Sequence, residues 1–568
     1  MRVPRPGLPP GLRLARGYHR DYLPGDLGAG ILVAALAVPQ ALGYAVVAGV
    51  PVEVGLYTLP PALLAYALYG TSRLLFVGPV STVSVLSGSI VRALSGGDPE
   101  HAVALTSALA IVAGVVLIVA GAFKMGWMAR FLSEPIVTGF VAGLVVLIVV
   151  GEIPGLAGLT PPTGSLLDRL VVIGQTLPGV HLTTFAVGAG CLVLLFGGQR
   201  LAPRIPWALV ALLGSIAASH SFDLAARGVA VVGEVPRGLP LPVVPVLPLQ
   251  DWAGLLTGGM AIAAVGIAEG LAAARTFLDS QRHRLHDDGE LVANGVADLA
   301  AGLFGGMGVA GSLSKTAANA RAGAHTQVSS LSAAVVVLLV LVALADLLPA
   351  LPKAALSAIV INAVWGLVRL SAFRHFQQVR QLDFVASVVA FCGVLALGPL
   401  NGLLLAIGQS LLGLIYRSLQ VDVDQMGKIA GEKAAWGAID HGPDRVPYPG
   451  VLVLRPDGLL FWANAGHVLD RVEAIAAHRE DIFAVVLDLE CSNQMDTTTT
   501  ERLDLLLTNL RDADKDLYLV RVLGKVRTVL ERAGFIDRLG PGHLWHSIAA
   551  GVKAAKREAR ATSEPGAA

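Results

Sequence analysis

The chain has 568 residues, 54% hydrophobic and 15% charged, with a mean hydropathy of +0.67, whereas soluble globular domains carry about 25% charge. Lysine and arginine number 42 against 41 aspartate and glutamate, so no basic excess argues for nucleic acid and no acidic excess for a solvated tail. These figures argue against a soluble enzyme and against a nucleic-acid-binding protein.

The charge is unevenly spread: 40 of the last 148 residues are charged, against 43 of the first 420. The chain is therefore expected to comprise an N-terminal segment (1–25), a membrane body (26–420), a linker (421–444), a soluble α/β domain (445–560) and a tail (561–568). Pro4, Pro6, Pro9 and Pro10 stand among arginines with no short apolar signal core, so the first span is expected to insert as mature protein. Cys191, Cys392 and Cys491 have neither disulfide nor metal-ligand spacing and are expected to pack.

A membrane helix needs about 20 mostly apolar residues. The body offers about fourteen candidates, near 27–48, 55–70, 78–93, 101–122, 131–151, 181–198, 205–220, 252–276, 290–305, 312–321, 326–347, 355–369, 380–398 and 400–417. With the N-terminus inside, the inner loops hold Arg73, Lys124, Arg130, Arg200, Arg204, Arg275, Arg282, Arg284, Arg321, Arg369, Arg374, Arg380 and Arg417; the outer loops hold Arg169, Arg227, Arg237 and Lys353. That asymmetry predicts an even number of spans, in the cell membrane, with both termini cytoplasmic.

The third candidate begins Val77-Gly78-Pro79-Val80-Ser81-Thr82 and the tenth Gly308-Val309-Ala310-Gly311-Ser312-Leu313-Ser314-Lys315. Each stands third in its set of seven. Short, Gly/Pro-interrupted segments at matching positions of two halves point to an inverted-repeat transporter with a site near the midplane. Helices that start inside the membrane present unpaired N–H groups and a partial positive charge, so two facing ends would form an anion site. Ser81, Thr82, Ser312 and Ser314 would add hydroxyls and Lys315 a full charge, which should face a cavity or partner rather than lipid. Glu269, flanked by apolar residues, is a candidate proton carrier, with a structural salt bridge to Lys315 as its other reading. Protonating it would raise the net positive charge of the site and strengthen anion binding. Gln40 and Tyr44, one turn apart, would line the same cavity, with a buried glutamine bonded to a neighbouring helix as the other reading of Gln40, and Asp298 is a weaker proton candidate because it lies near a helix end, within reach of water.

Beyond residue 445, strands are predicted at Val451–Leu454, Leu459–Trp462, Phe483–Leu489 and Leu517–Val522, with helices near 465–478, 499–512, 524–534 and 546–559. Such alternation predicts an α/β layer domain.

These residues resemble the SulP anion permeases, the sulfate permease family. The resemblance is carried by Asp26-Leu27-Gly28-Ala29-Gly30, Val38-Pro39-Gln40-Ala41-Leu42-Gly43-Tyr44-Ala45, Ala48-Gly49-Val50-Pro51, Gly55-Leu56-Tyr57, Gly70-Thr71-Ser72-Arg73 and Val77-Gly78-Pro79-Val80-Ser81. It continues through Phe131-Leu132-Ser133-Glu134-Pro135, Gly139-Phe140, Glu290-Leu291 and Gly311-Ser312-Leu313-Ser314-Lys315-Thr316-Ala317. It implies a seven-plus-seven inverted repeat of about fourteen spans with core and gate subdomains, elevator-type alternating access and a homodimer in the lipid bilayer. It gives Gln40, Tyr44, Val80, Ser81, Ser312 and Ser314 a substrate-lining role and Lys315 a cationic one.

Family members commonly carry arginine at Lys315. Sodium-coupled members have a hydroxyl one turn after the carboxylate, where this chain has Ala272 and Ala273, which leaves proton coupling or uncoupled exchange.

The C-terminal segment resembles the STAS domain that follows SulP bodies, through Arg455-Pro456-Asp457-Gly458-Leu459, Phe461-Trp462-Ala463-Asn464-Ala465, Val486-Leu487-Asp488-Leu489 and Asp496-Thr497-Thr498. Thr498 matches a position phosphorylated in soluble relatives, which makes it a candidate modification site; a threonine at a helix start is also an ordinary N-cap. The expected function is secondary transport of a small inorganic anion or dicarboxylate, with no cofactor and a possible cytoplasmic partner for the STAS domain. The alternatives are an organic-acid or nucleobase carrier on the same architecture, or a membrane-anchored signalling protein. No nucleophile–base pair, metal cluster or cofactor loop argues for an enzyme.

Overall fold

In hydrocarbon the backbone has no water to pair with, so an apolar segment that enters it closes its hydrogen bonds internally, as a helix. The structure, a computed structural model, describes residue 11 and residues 18–130, 133–159, 164–203, 205–233, 241–276, 285–343, 345–432 and 435–563. It divides near residue 410 into two units.

The first unit runs α1 (Leu23–Ala48), α2 (Val52–Tyr69), β1 (Val77–Gly78), α3 (Ser81–Leu94), α4 (Pro99–Ala122), α5 (Glu134–Ala157), α6 (Leu166–Thr176), α7 (Leu182–Leu201) and α8 (Trp207–Phe222). It continues with α9 (Trp252–Thr276), α10 (Asp287–Leu303), β2 (Ala310–Gly311), α11 (Leu313–Arg321), α12 (Val328–Ala343), α13 (Lys353–Trp365), α14 (Leu370–Val379) and α15 (Gln381–Leu397), and the division falls within α16 (Pro399–Leu419). Seven helical stretches among the described residues, from Arg20–Ala48 to Pro399–Leu419, are long and apolar enough to cross a membrane. Each predicted span coincides with one helix. The short amphipathic helices α6 and α14 fall between the apolar runs, outside the pattern that marks a span.

Pairing of the helices follows a two-fold repeat. The helix α4 packs on α10 as α12 packs on α2, α1 meets α12 as α9 meets α4, and α5 lies on α15 as α13 lies on α7. Helices one to four of each half thus form one body, and helices five to seven contribute the other. Close approach in the first body depends on glycine: a Cβ on Gly114 would lie 2.6 Å from the Gly295 carbonyl oxygen, and one on Gly295 would meet Gly114 at the same distance. The α5–α15 seam likewise sets Gly139 directly on the Ser387 carbonyl.

The second unit contains β3 (Val423–Ile429), β4 (Trp436–Ala438), β5 (Arg445–Val446), β6 (Val451–Pro456), α17 (Ala465–Ala477), β7 (Ala484–Asp488), α18 (Thr497–Asp512) and β8 (Asp516–Val520). It ends with α19 (Gly524–Arg532), α20 (Phe535–Leu539), β9 (Leu544–Trp545) and α21 (Ile548–Ser563). The strand order is β4-β3-β6-β7-β8-β9, with β5 also on β3. Strands β6 to β9 run parallel and β3 antiparallel to β6. Strand alternation sends Leu452, Val485, Leu487 and Leu519 toward α17, α18 and α19, and Val451, Val486, Tyr518 and Val520 toward Ile548, Val552 and Ala555 of α21.

Two expectations change here. Residues 421–444 are not a linker, because β3 sits inside the sheet between β4 and β6; its mixed burial, with Val423 and Met426 inside, conceals the strand. Leu459–Trp462 is not a strand either. The Asn464 amide donates to the Leu459 carbonyl at 2.7 Å and its oxygen accepts the Phe461 N–H at 2.9 Å, which folds the segment into a turn. Cys191 is buried as expected, whereas Cys392 is exposed on α15 and Cys491 half-buried.

Candidate functional site

The site begins where two helices are too short to span. At 1.5 Å per residue, α3 and α11 extend about 21 and about 14 Å, less than the roughly 30 Å of hydrocarbon. The chain reaches their N-termini through β1 and β2, which pair antiparallel with Val77 opposite Gly311 and Gly78 opposite Ala310. Pro79 disfavours helix at Gly78, and Val80 remains extended at φ −129° before α3 starts at Ser81. On the other side Ser312 caps α11, its hydroxyl accepting the Lys315 N–H at 3.4 Å.

Irregular backbone at this depth needs partners, and side chains supply them. The Ser312 N–H donates to the Phe76 carbonyl at 2.9 Å, and the Phe76 N–H to the Thr316 hydroxyl at 3.0 Å. Asn319 donates to Leu74 O at 3.1 Å, and Gln327 to Ser72 O and Leu75 O at 3.0 and 2.9 Å. Glu290 accepts the Tyr66 hydroxyl at 2.8 Å and the Thr71 hydroxyl and N–H at 2.5 and 3.0 Å. Asp26 accepts the N–H groups of His325 and Thr326 at 2.6 and 3.0 Å. In the sequence Glu290 and Asp26 stand only as members of motifs. Their signal was a carboxylate beside a Gly/Ser/Thr-rich break, where backbone donors lack partners.

Most of the expected residues converge. Lys315 is 2% exposed, so it does not snorkel; its Nζ donates to the Pro79 carbonyl at 2.7 Å and lies 5.4 Å from the Tyr44 ring centre. Glu269 accepts the Thr82 hydroxyl at 2.8 Å and acts electrostatically on both Tyr44 and Lys315. Each of the two charged groups thus has a neutral hydrogen-bonding partner, which sets aside the reading of a closed structural salt bridge. Val80, Ser81 and Ser312 are buried; Ser314 is exposed, its hydroxyl 3.3 Å from that of Ser312. Gln40, one turn before Tyr44 on α1, keeps a buried side-chain oxygen without a hydrogen-bonding partner.

Two candidates lie elsewhere. Asp298 does not reach water: it is 1% exposed and accepts the Val309 N–H at 2.7 Å, so it holds the approach to β2. Thr498 is exposed in the first turn of α18, in the second unit. The cap of that helix is Asp496, not a threonine. It accepts the Thr499 N–H and hydroxyl at 2.9 and 2.8 Å and the Trp462 N–H at 2.6 Å. Burial works against its charge, but these bonds outweigh burial and hold the carboxyl below the usual carboxylate range.

Comparison with known proteins agrees with this architecture. The Sulfate permease family profile matches residues 23–390 and the STAS domain profile residues 443–551. A probable sulfate transporter of Mycobacterium tuberculosis (strain CDC 1551 / Oshkosh) is 32% identical over 554 residues, 97% of this chain and 98% of that one. Sulfate transporter 2.2 of Arabidopsis thaliana is 29% identical, covering 98% and 86%. Among solved structures, the murine Solute Carrier 26 family member A9 anion transporter in the inward-facing state superposes with a TM-score of 0.90 at 22% identity, over 97% and 94% of the chains. The transmembrane domain of a cyanobacterium bicarbonate transporter gives 0.60 at 21% identity, over 69% and 98%.

Proposed function

Because the chain belongs to the sulfate permease family, we propose that it is a secondary transporter of small anions, with sulfate or bicarbonate as the first substrates to test, bound between the N-termini of α3 and α11. One observation carries this reading: Lys315 is enclosed where two half-helices begin, bonded to a carbonyl oxygen and standing over an aromatic face, with Glu269 as the carboxyl that acts on it. A charged group in a membrane interior is costly unless an opposite charge joins it, and when Glu269 is protonated an incoming anion supplies that charge. Ser81, Ser312 and Ser314 add hydroxyl donors. Tyr44 and Val80 wall the site, and Gln40 would orient an anion's water or a protonated oxygen with its unpartnered carbonyl.

Glu269 couples transport to the proton in this reading. Protonated, it leaves the site more positive and favours the anion; ionised, it opposes it. Asp298 anchors the approach to β2 and ranks second as a carrier. The two-body packing supports elevator movement of the site-bearing helices. The arginine-rich loops support cytoplasmic termini in the cell membrane, the family a homodimer, and the second unit a regulatory role with a cytoplasmic partner or phosphorylation at Thr498.

Purified protein in liposomes is expected to move sulfate, bicarbonate, nitrate, chloride or a dicarboxylate down its own gradient, and an inward proton gradient should accelerate uptake. Absence of flux for all five would overturn the reading.

A further inference from the structure

A cavity of about 1130 Å³ opens beside α3, at the membrane face opposite the chain termini in the proposed topology. Arg92 and Ser89 of α3, Glu152 of α5, Arg169 of α6 and Lys353 of α13 line it, with Glu53 of α2. Both arginines are held by neutral groups: Arg92 Nη1 donates to the Val47 carbonyl at 3.4 Å and Arg169 Nε to the Gly164 carbonyl at 3.1 Å. A guanidinium has five N–H donors, so most of each fork remains for the cavity. Asp168, beside Arg169, is committed to the N–H and hydroxyl of Ser165 at 2.9 and 2.7 Å. Glu152 shares its carboxyl with Ser357, and both it and Arg169 act on Arg92. Three cations against Glu53 and Glu152 leave the wall net positive.

Along α3, Arg92, Ser89 and Val85 line the cavity at successive steps of a helical face, and Ser81 stands one further turn down at the half-helix end. The wall that α3 gives the cavity therefore ends at Val85, one turn short of the half-helix end at Ser81.

We propose that Arg92, Arg169 and Lys353 form a second, peripheral oxyanion site that captures the substrate before it reaches the half-helices. This inference rests on the anion-transport reading. Two guanidinium forks presented by separate elements match the oxygens of a tetrahedral or planar oxyanion, and a cavity whose wall carries net positive charge raises the local concentration of anions.

The test uses the full chain in intact cells with a membrane-impermeant thiol reagent on Ser89→Cys, against the parent chain as background. An anionic reagent should modify this cysteine faster than a cationic one of equal size, by about tenfold, and external sulfate should slow the anionic reaction. Arg92→Gln and Arg169→Gln should each reduce that preference and remove the protection by sulfate, while Arg169→Lys retains the preference. In uptake, the same glutamine variants should raise the half-saturating external sulfate concentration about fivefold at unchanged maximal rate. If charge preference and sulfate protection are the same in both glutamine variants as in the parent, the peripheral site is wrong. Labelling does not require turnover, so a chain that shows the field but moves no anion would overturn the transport reading and leave the site standing.

Discussion

Lys315 in the first unit and Asp488 in the second are both enclosed, at 2% and 0% exposure, yet they are partnered in opposite ways. Asp488 accepts Arg455 Nε at 2.6 Å, Arg521 Nε at 2.9 Å, Arg521 Nη2 and the Glu490 N–H at 3.3 Å. Both of its oxygens are occupied and its charge is matched. Lys315 is bonded to a carbonyl and stands over a ring. A buried charge with every bond filled holds a fold together; one with neutral partners retains capacity for a visitor.

Five measurements break or sharpen that contrast. The largest effect concerns where the saturated unit begins: residues 421–563 expressed alone should unfold cooperatively in urea. A version starting at 440, which lacks β3 and exposes the edge of β6, should lose the transition. Next, Asp488→Asn should cost the second unit about 3–5 kcal/mol, because two arginines lose their buried counter-charge; an unchanged urea midpoint would refute the saturated reading.

Lys315→Ala should weaken anion binding roughly thirty- to a hundredfold, or about 2–3 kcal/mol, without lowering the melting temperature, whereas Arg321→Ala leaves uptake near the parent level. Equal loss in the two variants at equal membrane expression would contradict the site. Glu269→Gln should keep anion exchange and lose the severalfold stimulation by an imposed proton gradient; retained stimulation would move attention to Asp298. Sodium coupling predicts the reverse, with binding abolished in Glu269→Gln.

The smallest effect is at Asp496, where alanine removes a helix cap and should cost about 1 kcal/mol. Since the folded state holds this carboxyl below its ordinary value, its contribution is fully present above about pH 4 and fades as pH falls through the folded value. The difference between Asp496→Ala and parent in urea midpoint should therefore shrink on acidification.

Apolar runs and interrupted segments made the spans and the two half-helices legible, because a membrane helix needs a continuous apolar stretch and a break in one has few explanations. Lys315 and Glu269 stood out for the same reason. What remained hidden was long-range pairing. Nothing near Asp298 in sequence indicates that its carboxylate receives the Val309 N–H, and nothing near Arg92 indicates that Arg169, 77 positions further along the chain, will face it. Strand β3 escaped because three separate neighbours, β4, β5 and β6, cover it unevenly and blur the alternation that marks a half-buried strand.

The ribbon of β1 and β2 takes one strand from each half of the repeat, and the bonds from Ser312 to Phe76 and from Phe76 to Thr316 cross the same seam. Each half therefore carries one wall of the pocket and one end of every stitch. Neither half alone holds a complete pocket, so the site exists only where the two halves meet. Cut between Gly233 and Leu241, the two fragments are expected to be inert when made separately and to recover function when made together.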